Sequence, residues 1–424
     1  MRDRVLNRGV IAWSMYDFAN SAFATTVMAG FFPIFFKQYW SVGTDVTTST
    51  FYLGLANSIA GVVVAAASPL LGAIADTGGS RRKFLLFFTM MGIVMTGAMY
   101  VVAQGDWPFA AALFVIAIIG FSGANTFYDS LILCVTQPSR ADFVSAFGYA
   151  LGYLGGGILF ALNVAMTQSP QFFGLSDAGE AVRLSFVMVA VWWAVFAIPL
   201  FVFVREPAAT GAPGRRNVIA GGLRQMAATF RHIRSLRVVA LFLAGYWLYI
   251  DGVGTIISMA VDYGLSIGFD SGTLILALLI TQLVGFPAAI AFGVIGERYG
   301  AKTGIFAGIA VYIGVVVWAY QMDTAEEFYV LAAIIGLVQG GVQSLSRSLY
   351  SRLIPTGKSA EFFGFYNMIG KFATFLGPAV MGSISVMTGN PRYSILSLIA
   401  FFVAGAVILY FVDEREGQRV ARRL

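Results

Sequence analysis

Twelve long apolar runs govern what this chain of 424 residues can fold into. They cover residues 11–36, 51–75, 84–103, 108–134, 143–166, 184–204, 237–261, 271–295, 303–321, 327–350, 361–387 and 393–412. A helix crossing a bilayer needs about 20 mostly apolar residues, because the hydrocarbon core is roughly 30 Å thick. Each run meets that length. The strands of a membrane β-barrel would be about ten residues long and would alternate with a period of two. The expected fold is therefore an all-α membrane protein with 12 transmembrane helices. Composition agrees, since the chain is 58% hydrophobic and 11% charged. A soluble domain carries roughly 25% charged residues, so a water-facing surface could not be covered and the soluble enzyme classes are excluded.

The charges orient the spans. With both termini placed in the cytoplasm, 22 of the 27 Lys and Arg residues fall on the inner side and three (Lys37, Arg183 and Arg392) on the outer side. The acidic residues divide nine and nine. A Lys/Arg bias without an Asp/Glu bias is the positive-inside rule. The net charge of +6 is thus topology, and nucleic acid is not expected as a partner. The N-terminal run continues to Phe36 past the small residues Ala22 and Ala24, which makes it an uncleaved first span and not a signal peptide. The long inner segment 205–236 separates six spans from six. The expected organisation is a half at 1–204, a cytoplasmic linker at 205–236, a second half at 237–412 and a cytoplasmic tail at 413–424. Apolar residues at helical spacing with Arg224, Arg231 and Arg234 among them predict an amphipathic linker helix on the anionic inner leaflet.

The two halves repeat. Gly72, Asp76, Gly79 and Arg81, after the second span, match Gly293, Glu297, Gly300 and Lys302, after the eighth, at a constant offset of 221. A second match, at an offset of 216, pairs Gly120 with Gly336, Ser130 with Ser346, and Phe147-Gly148 with Phe363-Gly364. Corresponding loops fall on the same side, so the repeat is parallel, and such carriers hold the substrate between the halves. Gly72, Asp76, Gly79, Arg81 and Arg82, with the second copy Glu297, Arg298, Gly300 and Lys302, resemble the loop signature of the major facilitator superfamily. Thr77 and Ser80 stand where that signature has arginine. The opening Trp13-Ser14-Met15-Tyr16-Asp17-Phe18-Ala19-Asn20-Ser21, and Gln343-Ser344-Leu345-Ser346-Arg347-Ser348, are similar to the UMF1 group related to Atg22-like vacuolar amino-acid exporters. The resemblance implies a major facilitator fold of two six-helix pseudo-repeat halves and amino-acid transport. Independently of it, Asp76 and Glu297 at helix ends beside cations form an expected inner gate with Arg81, Arg82, Arg298, Lys302 and Arg347.

Ionisable residues inside a span cost about 2.5–3.5 kcal/mol on insertion scales and face a cavity or each other. Asp17, Asp129, Asp251, Lys371 and Arg347 are of this kind. Asp17 shares a helix face with Asn20, Ser21 and Thr25, and Asp129 follows Asn125 by one turn. The expected substrate or proton site is Asp17, Tyr16, Asn20, Ser21, Asn125, Asp129, Tyr249, Asp251 and Lys371. An Asp with a Lys in one cavity would suit a zwitterion, and the alternative for these charges is a structural tie. The five glycines of Gly148–Gly157 read as a close helix-packing face, with a hinge as the alternative. Tyr16, Tyr128, Tyr249 and Tyr366 are pore-lining candidates against a background of ordinary aromatic packing.

One histidine and one cysteine leave no His/Cys metal cluster, and no cofactor is expected. No Gly-x-x-x-x-Gly-Lys-Ser/Thr loop is present to bind a nucleotide. Tyr16-Asp17 matches half of an intramembrane aspartyl protease pair, but Gly252-Val253-Gly254-Thr255 has threonine where the second aspartate is needed. The expectation is a monomeric, non-enzymatic secondary transporter of a small molecule in the lipid bilayer, the inner membrane for a bacterial chain. Protons are the candidate coupling ion and amino-acid-type export the leading activity. A lipid, lysolipid or drug exporter, and a non-transporting sensor, are the alternatives.

Overall fold

The computed structural model describes residues 6–44, 46–78, 81–206, 236–266 and 268–421. Gly79 and the expected linker helix within 205–236 lie outside the described residues, apart from the segment's first two residues and its last. Eleven helices among the described residues are long and apolar enough to cross a membrane. In chain order these are α1 (Arg8–Trp40), α2 (Phe51–Asp76, within a helix Val46–Gly78), α3 (Arg81–Val101), α4 (Trp107–Val135), α5 (Pro138–Gln168), α6 (Ala178–Phe203), α7 (Arg237–Ile257, within Arg237–Ser266), α8 (Gly272–Tyr299, within Ser271–Tyr299), α9 (Ala301–Gln321), α10 (Ala325–Leu353) and, after one more helix, α12 (Arg392–Tyr410). That further helix is α11, Ser359–Thr388, at 30 residues fully long enough to span. A short helix, α13 (Glu414–Ala421), follows.

Local sequence starts these helices. Asn7 accepts from Val10 N at 2.9 Å to open α1. At the opposite end of the bundle Asp106, Asp177 and Asp270 cap α4, α6 and α8, and Thr324 with Glu327 forms a capping box on α10. Helices begin at both ends, so acidic caps are needed at both. That is a physical reason for the even acidic split, while Lys and Arg gather at one end, called here the basic end. Stripes of exposed apolar side chains, such as Val191, Val195, Ile198 and Val202 on α6, cover the outside of the bundle. α1 departs from a uniform helix: the Phe32 N–H reaches back to Val27 O and Ser41 N to Phe36 O, the wider i→i+5 pattern of a π-helix.

The packing partners carry the repeat. In the first six helices α1 packs on α5 and α6, α3 on α4 and α6, and α2 on α4. In the last six α7 packs on α11 and α12, α9 on α10 and α12, and α8 on α10. Each pair in one set is a pair in the other, moved by six. The contacts between sets obey the same exchange: α5 meets α8 as α11 meets α2, and α5 meets α10 as α11 meets α4. The matched glycines lie at these crossings. A side chain on Gly72 would overlap the Ala360 carbonyl of α11, and one on Gly293 would strike Ala146 and Phe143 of α5.

Candidate functional site

A cavity of about 290 Å³ lies between the two sets of six. One wall is Asp17, Asn20, Ser21, Ala24 and Thr25 of α1, Phe121, Asn125, Tyr128 and Asp129 of α4, and Tyr149, Gly152 and Tyr153 of α5. The facing wall is Tyr246 of α7, Gln282 of α8, Gln339, Gln343 and Arg347 of α10, and Tyr366 and Asn367 of α11. The polar stripe on α1 keeps its helical spacing and all of it faces the cavity. Gly152 and Gly155 bring α5 against α1, since a Cβ at 152 would meet Ser21 Oγ and one at 155 the Phe18 carbonyl. This contact is the close helix packing expected of the glycine face.

Arg347 reaches from α10 into the opposite wall. Its Nη1 donates to Asp129 Oδ1 at 3.0 Å, its Nε to Ser145 Oγ at 2.9 Å, and its Nη2 to the Ser145 carbonyl at 2.9 Å and to Asp17 Oδ2 at 3.4 Å. The rings of Tyr149, Trp13 and Tyr128 stand 4.5, 4.8 and 5.5 Å from its guanidinium carbon. Tyr128 Oη donates to Asp17 Oδ2 at 2.7 Å, and Asn367 Nδ2 to Asp129 Oδ2 at 3.4 Å. Further along α1, Asn20 Nδ2 donates to Asn125 Oδ1 at 2.6 Å and Gln282 Nε2 crosses between the sets to Thr25 Oγ1 at 2.5 Å. The cavity thus lies between an ionic tie and an amide–hydroxyl tie.

Of the residues expected at the site, Asp17, Asn20, Ser21, Asn125 and Asp129 line this cavity together. The others stand apart. Tyr16 is fully buried, with its hydroxyl on Thr89 Oγ1 at 2.6 Å. Tyr249 bonds Ser346 Oγ at 2.8 Å, and Asp251, fully buried, accepts the Gly377 N–H of α11 at 3.1 Å. Lys371 is not among the lining residues. Of the two in-membrane cations that could pair with these carboxylates, Lys371 or Arg347, it is Arg347 that stands beside Asp17 and Asp129, and there it ties the two sets together. Depth explains it: at a rise of about 1.5 Å per residue, Asp17 lies nine residues, about 14 Å, from the start of α1 and Arg347 six residues, about 9 Å, from the end of α10. Asp251 is 14 residues, about 21 Å, into α7 and occupies another layer. The carboxamides of Gln282, Gln339, Gln343 and Asn367 were not anticipated. The four-residue spacing of Gln339, Gln343 and Arg347 is a signal that could have found three lining residues.

The basic end is closed by contacts between the sets. Asp76 accepts the Ala360 and Glu361 N–H groups at the start of α11, at 3.2 and 2.8 Å, while pairing with Arg81 Nε at 2.7 Å. Its repeat equivalent, Glu297, pairs with the exposed Arg140 at 3.4 Å. Asp142, in the first turn of α5, binds Arg352 Nη1 at 2.7 Å and accepts from Ser348, and Arg352 Nε lies 3.1 Å from Glu414 of α13. Asp142, Arg352 and Glu414 were not among the expected gate residues. The remaining gate cations act within their own sets. Arg81 N and Arg82 N bond Glu206, and Arg82 Nη2 bonds the Phe201 carbonyl. Lys302 Nζ bonds the Tyr410 and Val412 carbonyls at 2.8 and 2.9 Å, and Arg298 lies over Tyr299. Gly300, with φ of 89°, makes the turn between α8 and α9 that a side chain would strain.

The sequence pattern of the family described as "Vacuole effluxer Atg22 like" matches residues 39–138 and 135–422. The chain is 37% identical to an uncharacterized MFS-type transporter, YxiO of Bacillus subtilis, over 97% of this chain and 96% of that one. It is 23% identical to autophagy-related protein 22 of Eremothecium gossypii, over 99% of this chain and 93% of that one. The crystal structure of the human organic anion transporter MFSD10 superposes with a TM-score of 0.68 at 16% identity, covering 95% of this chain and 99% of that one, a likeness of fold. The exchange-by-six packing of its helices, the central cavity and these relatives together make the chain a member of the Atg22-like family within the major facilitator superfamily of membrane transporters.

Proposed function

We propose that the chain is a secondary transporter that exports a small, amino-acid-type solute by alternating access, in exchange with protons. Both termini lie in the cytoplasm, and the basic end is the cytoplasmic face of the plasma membrane in a bacterial cell. The six-helix halves 1–204 and 237–412 rock about the cavity, and the segments 205–236 and 413–424 are the linker and tail. The observation that carries this reading is the Arg347 tie, in which one guanidinium of the second half holds Asp129 and Asp17 of the first at the cavity wall. Opening the basic end must part these charges. A proton on either carboxylate, or a solute that takes its place, lowers the cost of parting them.

The cavity's size and lining support a small polar solute over a lipid. Ligand pockets run from roughly 300 to 1,000 Å³ and are mostly apolar. This one, at about 290 Å³, sits at the lower limit and is lined by six carboxamides and three ionisable groups. The test is counterflow of labelled amino acids into proteoliposomes, with internal pH recorded. Wild-type protein should exchange substrate and move protons with it, and Asp129→Asn should retain exchange while losing proton movement by about tenfold or more, one carboxylate tie being worth roughly 1.5–3 kcal/mol. Undiminished proton coupling in both Asp17→Asn and Asp129→Asn would sink the coupling role.

A further inference from the structure

The cavity's three charges are unequally available. The side chains of Asp17 and Asp129 are 13% and 10% exposed, whereas that of Arg347 is 2% exposed. Arg347 is also committed, with Nε on Ser145 Oγ, Nη1 on Asp129, Nη2 on the Ser145 carbonyl and Asp17, and three aromatic rings around its plane. Asp17 has spare capacity. Its Oδ2 takes the Tyr128 hydroxyl and Arg347, and its Oδ1 takes no hydrogen bond from the described residues. Two carboxylates against one guanidinium leave the ionised site one negative charge in excess, and the rest of the lining is carboxamide, hydroxyl and aromatic ring.

A carboxylate arriving here would have to displace an aspartate from a buried, saturated guanidinium and then sit beside two like charges. A cationic nitrogen meets neither obstacle. It gains an open carboxylate oxygen, attraction undamped by bulk water and the faces of nearby tyrosine rings. We propose that the transporter holds its solute by a cationic nitrogen on Asp17, with Asp129 adding to the field, and that a carboxylate on the solute is dispensable. The substrate class is therefore small ammonium compounds, including amino-acid amides and amines as well as zwitterions. This rests on the cavity being the transport site, and it deepens that reading by naming which end of the solute is recognised.

The experiment uses the purified full-length protein with the standard amino acids, their amides and their N-acetyl derivatives as probes, read by thermal shift and calorimetric titration. For each side chain that binds, the amide should match the parent within about threefold, and the N-acetyl form should lose about 10- to 100-fold, the worth of one charge-assisted hydrogen bond. Asp17→Asn should lose affinity for the amides to the same extent, and Asp17→Glu, which restores the charge, should recover most of it even if both variants are less stable. N-acetyl compounds binding as well as the amides, or no ammonium probe binding at all, overturns the proposal. Counterflow with the same panel separates the two readings. Exchange of N-acetyl but not ammonium probes leaves a transporter and removes this recognition, whereas ammonium probes that bind but never exchange leave the recognition and remove transport through this cavity.

Discussion

Arg347 does what lysine could not do at the same place. Its fork supplies separate N–H groups to Asp129, Asp17, Ser145 Oγ and the Ser145 carbonyl, while its flat face lies among Tyr149, Trp13 and Tyr128. A lysine offers three donors from one point and no plane to stack. Breaking a buried ion pair by removing one partner costs about 3–5 kcal/mol, because the remaining charge is left unpaired in low dielectric. Arg347→Lys keeps the charge and loses geometry, so it should lower stability by about 1–3 kcal/mol and Arg347→Met by more, unless Asp129→Asn is added to relieve the orphaned carboxylate. Thermal unfolding in detergent checks this series. Equal melting of Arg347→Lys and wild type would mean that charge alone suffices there. The sequence makes Arg347 visible as an in-membrane cation and its depth can be counted from the helix end, but one chain carries no information on which helices face one another. That is why the sequence leaves Lys371 and Arg347 as alternative partners for the aspartates.

At the scale of elements, what was legible and what was not follow from the kind of information involved. Helix positions depend on local hydropathy and caps, so each of the twelve expected runs coincides with a long helix, to within a few residues at most ends. The i→i+5 stretches of α1 had no such signal, since they depend on how α1 fits its neighbours. Gly30 there lies against the Phe160 ring of α5 and Gly155 of α5 against the Phe18 carbonyl of α1. The glycine face on α5 was legible as small residues, yet its partner was not. It makes an element-scale prediction. Gly155→Ala should destabilise by about 1–3 kcal/mol through overpacking against backbone that cannot yield. Gly61→Ala on α2, where an added Cβ meets nothing within 4 Å, should be neutral or stabilising. Similar melting losses in both would show that the close α1–α5 contact is not what decides the outcome.

For the whole molecule the two halves are alike in packing and unlike in how they close the basic end. Asp76 sits buried on the first N–H groups of α11 and on Arg81, so it satisfies a helix start and an arginine at once. Among the described residues Glu297 meets only an arginine that is half exposed, and exposed pairs contribute about 0–1 kcal/mol. The repeat of sequence therefore hides an asymmetry of energy. Parting the halves at this end must strip Asp76 from α11 but costs little at Glu297. A reporter of opening is available in Ser344, which is fully buried on α10 beneath the Ser145 hydroxyl that bonds its carbonyl. In a Cys134→Ser background, Ser344→Cys should react slowly with a water-soluble maleimide and faster as the basic end opens. Asp76→Asn should raise that rate by about tenfold or more, a shift of roughly 1.4 kcal/mol or above, and Glu297→Gln by no more than about fivefold. If Glu297→Gln accelerated labelling as much as Asp76→Asn, the two copies of the motif would hold the gate equally. The helix start that Asp76 caps would then add nothing beyond what the exposed Glu297–Arg140 pair contributes.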